Sequence, residues 1–236
     1  MLTLDQLTGR DDAHLLALAG GHRLQAEAAA AFLRLQADAA AAGFQLAIAS
    51  SYRSYERQCL IWNGKAAGQR PVHDDAGNPV SILELPADAR IHAIMRFSAL
   101  PGTSRHHWGT DLDIFDAGAV PADCAPQLIP QEVTPGGPFD PLHCWLDARM
   151  AAGRSHGFFR PYGIDRGGVA PERWHLSYAP IALGCAGRVT AVVLRRCWDG
   201  GGEPLLLRAA LEARLPELLA RYVEVPPDWC PAAGMA

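Results

Sequence analysis

Two histidines and two carboxylates stand at spacings that suit a metal site. His106 and Asp113 flank a turn at Gly109, and Glu172 precedes His175 by three residues. A catalytic zinc needs about three N, O or S ligands and one open position for water. Histidine and aspartate supply such ligands, although they also suit iron. A chain reversal at Gly109 would bring His106 and Asp113 together, and His175 on a separate strand could complete the set.

Glu172 is the candidate base of this set. Its place in the sequence lets it reach a metal-bound water without being a ligand itself. Zinc lowers the pKa of such a water to about 7, and a carboxylate can then take the proton. Each residue alone has an ordinary explanation, since a single histidine is most often a surface residue or a hydrogen-bonded core residue. The prediction therefore rests on the combination.

Three short segments carry a family resemblance over about residues 44–180. They are Tyr52-Arg53-Ser54 followed by Gln58, then Ser104-x-His106-x-x-Gly109 ending in Asp113, then Glu172-x-Trp174-His175. In order and spacing they resemble the motifs of the VanY-type D-alanyl-D-alanine carboxypeptidases. Three matched motifs are a far more specific signal than any one of them.

The resemblance implies a role for each residue of the metal set. His106, Asp113 and His175 would be the zinc ligands. Glu172 would activate the water and later protonate the leaving amine. The neighbouring His107 is a rival ligand, but the family spacing selects His106. If this segment is a strand, adjacent side chains point to opposite faces, so only one of the two histidines can face the metal.

The resemblance also implies a set of substrate contacts. Arg53 would face the scissile carbonyl or the substrate carboxylate, because a guanidinium is always charged and forks onto oxygens. Gln58 and Ser104 would hydrogen-bond the terminal residue of the peptide, and Trp174 would form a wall of the site. Asp111 is either a partner that orients a histidine or a solvated acid.

Periodicity indicates the elements that position these residues. Apolar steps of three and four predict a helix over residues 24–42, and alternation predicts a strand at 44–50. A helix capped by Ser54 follows, and strands are expected to end near Phe115 and to cover 174–178. Helices are expected over 88–97, 140–152 and 203–222, whereas 189–194 fits a strand or a helix. Residues 70–87 predict a long loop that could cover the cleft and select substrate length.

This mixture predicts an α+β fold, with a small antiparallel sheet that carries the zinc site and helices packed around it. The resemblance implies the fold of the Hedgehog and D-Ala-D-Ala peptidase group. We expect one peptidase domain over residues 1–236. Its motif-bearing core covers about 24–180, and a C-terminal helical extension covers about 189–236.

Charge and composition limit the possible partners. The formal net charge is −4, with no run of basic residues, so nucleic-acid binding has no electrostatic support. No stretch approaches the roughly 20 apolar residues of a membrane span. Acidic and basic residues interrupt the first positions, so we expect a cytoplasmic protein. The six cysteines are expected to be mostly buried free thiols.

The expected substrates are peptidoglycan stem peptides, hydrolysed at the bond to the C-terminal D-alanine. The expected cytoplasmic location favours an L,D-carboxypeptidase that acts on tetrapeptides in muropeptide recycling. The alternatives are a D,D-carboxypeptidase or dipeptidase on D-Ala-D-Ala ends, a phage-type peptidoglycan endopeptidase, and a zinc-stabilised binding module without catalysis. A base at Glu172 argues against the module, because a structural zinc site has no use for one.

Overall fold

The computed structural model describes residues 1–121 and 124–224. Strands in these residues form two antiparallel sheets, a two-stranded β1-β2 ribbon and a four-stranded sheet in the order β3-β4-β6-β5. The strands are β1 (Leu16–Ala17), β2 (Arg23–Leu24), β3 (Leu46–Ser50), β4 (Asp111–Asp116), β5 (Phe158–Phe159) and β6 (His175–Tyr178). The predicted α+β class with a small antiparallel sheet is confirmed.

Helices make up most of the remaining regular structure. The longer ones are α2 (Ala26–Ala41), α3 (Tyr55–Ala66), α4 (Ala87–Met95), α6 (Asp140–Ala151), α8 (Ala191–Asp199) and α9 (Arg208–Tyr222). Short helices are α1 (Leu4–Leu7), α5 (Pro130–Val133) and α7 (Ala179–Ala182). The segment at 189–194, which fitted either type of structure, lies largely in α8. The predicted cap at Ser54 is confirmed, because its side chain accepts a hydrogen bond from the backbone N–H of Arg57.

Alternation along β4 separates the acids from the core. Leu112 and Ile114 are fully buried in one apolar cluster, whereas Asp111 and Asp113 project to the opposite face. Strand β6 repeats the pattern, with Leu176 in the same cluster and His175 on the other side. The sheet therefore has one apolar face and one face that carries the candidate ligands.

Two helical layers enclose this sheet. Helices α2 and α6 supply buried residues such as Leu35 and Leu142 to the apolar face of the sheet. Helices α3, α4, α8 and α9 form a second core around Trp62 and Ile94. Polar residues on the ligand-bearing face consequently lie in the protein interior, with a separate core beyond them.

The reversal between His106 and Asp113 depends on Gly109. This residue has a left-handed backbone with φ of 70°. This conformation strains any residue with a side chain, and a Cβ atom would also require the end of the Leu15 side chain to shift, so the position favours glycine. The segment before it, Arg105–Trp108, is a short 3-10 helix. The strand-based reason for choosing between His106 and His107 was therefore wrong, since neither residue lies in a strand.

Several expectations concern the periphery of the chain. Across the described parts of the sequence, no helix combines the length and apolar character that a membrane crossing requires. Cys59, Cys185 and Cys197 are buried free thiols, while Cys124 and Cys144 are exposed free thiols. The sixth cysteine, Cys230, and the end of the predicted C-terminal extension lie outside the described residues.

Candidate metal centre

Strand register brings the three predicted ligands together. Asp113 of β4 lies directly opposite His175 of β6, and Ser50 of β3 lies opposite Asp113 on its other side. His106 enters from the 3-10 turn. Its Nε2 is 3.4 Å from Oδ2 of Asp113, and Nδ1 of His175 is 3.2 Å from Oδ1 of Asp113. The three candidate ligand atoms lie within 4.8 Å of one another, and all three residues are buried.

Hydrogen bonds on the far side of each ring decide which nitrogen faces the site. Nδ1 of His106 lies 2.8 Å from the carbonyl oxygen of Ser51, and Nε2 of His175 lies 3.0 Å from Oδ1 of Asp111. Each of these nitrogens can donate only if it carries the ring proton. The lone pairs at Nε2 of His106 and Nδ1 of His175 are therefore directed at the site, as metal ligation requires.

The third donor is a carboxylate that lacks an internal partner. Oδ1 of Asp113 is buried and has no hydrogen bond from the described residues, although His175 is close. Burial alone would raise the pKa of Asp113, but the electrostatic effect of His106 and His175 holds it well below its usual value. A charged, unsatisfied oxygen between two imidazole lone pairs matches the N and O donor set of a catalytic zinc. The residues present thus fit the metal.

Asp111 orients His175, which decides between its two predicted roles. Its side chain is fully buried, so it is not a solvated acid. Oδ1 also accepts a hydrogen bond from Nε of Arg105 at 2.8 Å, and Oδ2 accepts one from the hydroxyl of Thr110. Burial alone would raise the pKa of Asp111, but the Arg105 charge and the hydrogen bond from His175 hold it well below the usual value. The carboxylate is therefore available to fix the ring of His175.

We expect Asp111→Asn to weaken zinc binding by about 10–100-fold, the usual effect of losing a partner that orients a metal ligand. The amide no longer offers a full negative charge to His175 and Arg105. Competition with a chelator of known affinity measures the change. Asp116→Asn on the same strand is the matched control, since Asp116 accepts hydrogen bonds from the backbone of Gln45 and Gly118 instead. Equal zinc affinities in the two variants would contradict the assignment.

Glu172 stands beside the ligand set without belonging to it. Its Oε2 is 3.6 Å from Nδ1 of His175, and its backbone N–H donates to the carbonyl of Tyr162. Burial raises the pKa of the Glu172 carboxyl to about 7, and the negative charge of Asp113 acts in the same direction. A carboxyl group with a pKa near the working pH can both accept and return a proton. This position and pKa suit a general base.

A cavity of about 220 Å³ opens in front of these residues. The three candidate ligands and Glu172 line it, as do three of the predicted substrate residues, Arg53, Ser104 and Trp174. No residue of the loop at 70–87 is among the lining residues, and Val72 and Ile82 of that loop are instead buried in the helical core. The structure therefore offers no support for the loop as a cover of the cleft.

Gln58 occupies a different place from the predicted one. Its side chain is fully buried, its Oε1 accepts a hydrogen bond from Nη1 of Arg53 at 3.0 Å, and its Nε2 donates to the carbonyl of Ala99. It is absent from the residues that line the cavity. In this structure Gln58 contacts Arg53 and lies behind it, outside the set of residues that line the cavity. Spacing on a helix could not distinguish a residue that faces the cavity from one that lies behind it.

Two lining features lack any counterpart in the sequence motifs. Ser98 lines the cavity and accepts a hydrogen bond from Nζ of Lys65 at 2.7 Å, which places a second cation near Arg53. Tyr222, at the end of α9, also lines the cavity. Lys65 follows the first motif closely in sequence, but Tyr222 lies far beyond the last one, so no local signal could identify it.

A cation between two imidazoles and a carboxylate, with a base facing an open cavity, is the arrangement of zinc-dependent hydrolases. The family profile described as VanY, D-alanyl-D-alanine carboxypeptidase, matches residues 21–181. The chain therefore belongs to the VanY D-alanyl-D-alanine carboxypeptidase family, whose members are zinc-dependent carboxypeptidases.

Similar proteins agree with this placement. A crystal structure of the vancomycin-resistance D,D-pentapeptidase VanY, a mutant in complex with Zn(II), is 27% identical with a TM-score of 0.50, covering 71% of this chain and 79% of that one. VanYB in complex with D-alanine-D-alanine is 25% identical with a TM-score of 0.50, covering 86% and 90%. An uncharacterised protein of Haemophilus influenzae is 47% identical over 103 residues, 42% of this chain and 70% of that protein.

Proposed function

We propose that this protein hydrolyses the peptide bond to the C-terminal D-alanine of peptidoglycan stem peptides. The observation that carries the proposal is the buried set of His106, Asp113 and His175 with Glu172 beside it, in a cavity that also contains Arg53. The small size of the cavity beside Glu172 suits removal of a terminal residue. The D-alanine-D-alanine bound to VanYB supports the chemical class of the substrate.

Each polar residue then has a defined task. His106, Asp113 and His175 would hold the zinc ion, which would supply a Lewis acid for the reacting oxygens. Glu172 takes a proton from water as the C–O bond forms, and it returns that proton to the amine nitrogen as the C–N bond breaks. Arg53 places a fixed positive charge in the cavity, where it can bind the terminal carboxylate or the developing oxyanion.

The choice between tetrapeptide and pentapeptide depends on where the protein acts. We propose a cytoplasmic location, where the substrates are released wall fragments and the L,D bond of a tetrapeptide is the target. A D,D-carboxypeptidase acting on the mature wall would need export. The pentapeptide reaction is the second candidate, and the ligand of VanYB favours it, because D-alanine-D-alanine is the end of a pentapeptide stem.

Defined muropeptides with three, four or five stem residues distinguish these reactions. We expect the zinc-loaded protein to remove one alanine from the tetrapeptide and to leave the tripeptide intact, as read by mass spectrometry. Loss of alanine from the pentapeptide alone would establish the D,D reaction instead. Cleavage of intact sacculi within crosslinks would indicate an endopeptidase. Zinc binding without any cleavage would contradict the proposed function.

A further inference from the structure

The C-terminal helix α9 begins at Arg208 and lies beyond the family match, which ends at residue 181. Its last residue nevertheless reaches the cavity. Tyr222 lines the same space as the candidate ligands and Glu172, although it is only 7% exposed. The helix contributes to the cavity through this side chain, so it is more than a support for the outer core.

The side chain of Tyr222 is held in place by α4. Its hydroxyl lies 2.9 Å from Nδ1 of His92, and the two rings are 5.8 Å apart. The ring packs in the same apolar cluster as Met95 and Val169, which line the cavity as well. These three residues form an apolar wall, which we call the Tyr222 wall. Met95 and Tyr222 are buried, so this wall is shielded from solvent.

Backbone contacts fix the end of α9 against the segment that leads to the base. Nε of Arg221 donates to the carbonyl of Gly167 at 2.6 Å. Any Cβ at Gly168 would lie 2.1 Å from the carbonyl oxygen of Arg221, so glycine is required for this approach. Arg96 holds the same segment on its other side. Its Nη1 donates to the carbonyl of Gly168, and its own carbonyl accepts a hydrogen bond from the backbone N–H of Ala170. Tyr222 therefore has little freedom to move away from the cavity.

We propose that Tyr222 is a specificity-determining residue that restricts the C-terminal side chain of the substrate to a methyl group. The inference rests on the proposed function, and it names a residue beyond the family match as the source of the selectivity. An exopeptidase encloses the terminal residue of its substrate, and the buried Tyr222 wall is a surface of the cavity that the terminal side chain can meet. A larger terminal side chain would collide with the Tyr222 wall. The contacts to His92 and to Gly167 prevent this wall from moving aside.

The test uses stem peptides that differ only in their last residue, D-alanine or D-leucine. Wild type is expected to prefer D-alanine strongly in kcat/KM. Tyr222→Ala, and Tyr222→Leu as a milder replacement, should shift the D-leucine to D-alanine ratio upwards by about tenfold or more, the scale of discrimination that a few methylenes provide in a pocket. Tyr222→Phe keeps the ring but loses the hydroxyl contact to His92, so its ratio should lie between those of wild type and Tyr222→Ala.

A second variant separates selectivity from stability. Leu215→Ala removes a fully buried side chain of α9 that does not line the cavity. It should lower the Tm yet leave the substrate ratio unchanged. An unaltered ratio in folded Tyr222→Ala, or a ratio altered equally by Leu215→Ala, would overturn the inference.

Binding distinguishes failure of this inference from failure of the proposed function. The affinities of zinc-loaded Glu172→Gln for N-acetyl-D-alanine and N-acetyl-D-leucine are compared by calorimetry with those of the double variant that also carries Tyr222→Ala. If wild type cleaves no stem peptide, the proposed function fails. The binding ratio then decides about Tyr222: relief of the D-leucine penalty supports the wall, and an unchanged ratio refutes it.

Discussion

Replacing Glu172 with glutamine is expected to lower kcat on the preferred stem peptide by about 10²–10⁴-fold, the usual contribution of a positioned general base. The amide has nearly the same shape as the carboxyl group but cannot accept a proton. Zinc content should be unchanged, because Glu172 lies outside the set of His106, Asp113 and His175. Single-turnover kinetics with metal analysis on the same sample measure both quantities.

Two control variants make this result specific. Glu172→Asp retains a carboxylate but shortens its reach, so its loss of kcat should be smaller than that of Glu172→Gln. Glu56→Gln makes the same chemical change at an exposed position of α3 and should have no effect. A zinc-loaded Glu172→Gln protein with wild-type kcat would show that another group takes the proton.

The features of the fold that follow from local patterns were predictable from sequence. Alternation in β4 indicated a strand, and residues two apart in a strand, such as Asp111 and Asp113, share one face. The register with His175 then completes the ligand set. The glycine at 109 indicated the reversal that brings in His106. These inferences succeed because period and turn chemistry are properties of a few neighbouring residues.

Features that depend on distant contacts were not predictable in this way. Gln58 lies behind Arg53 because Ala99 supplies a carbonyl from another part of the chain. Tyr222 reaches the cavity only because α9 packs on α4. The role of Asp111 could not be decided from sequence for the same reason. Its partner Arg105 belongs to a turn whose conformation the motif does not specify. Sequence spacing identifies the candidate residues, but tertiary packing decides which of them face the cavity.

His107 has a structural task that distinguishes it from its neighbour. It is fully buried, its Nδ1 lies 2.6 Å from the carbonyl of Arg53, and its Nε2 accepts from the backbone N–H of Gly102. Burial lowers the pKa of His107 to about 3, so the ring stays neutral. A Cβ at Gly9 would lie 2.4 Å from its Nδ1, which shows how closely the ring is enclosed. Both nitrogens are committed to the backbone, so neither is free for a metal.

Alanine at these two adjacent positions should therefore give opposite results. His106→Ala is expected to lose stoichiometric zinc and with it all measurable peptidase activity, because a ligand is removed from the set. His107→Ala is expected to keep its zinc but to lose about 2–4 kcal/mol of unfolding free energy, since the carbonyl of Arg53 and the N–H of Gly102 lose a buried partner. Metal analysis and denaturant unfolding measure the two effects.

A chelator supplies the decisive comparison between the two variants. A metal that binds only the folded state stabilises that state. Removing zinc should therefore lower the Tm of wild type and of His107→Ala. The Tm of His106→Ala should not respond, because that protein has no bound zinc to lose. If instead His107→Ala became insensitive to the chelator and His106→Ala stayed sensitive, the ligand would be His107. The hydrogen bond between His106 and the carbonyl of Ser51 would then have only a structural role. The assignment of the metal-facing nitrogen to His106 would also be wrong.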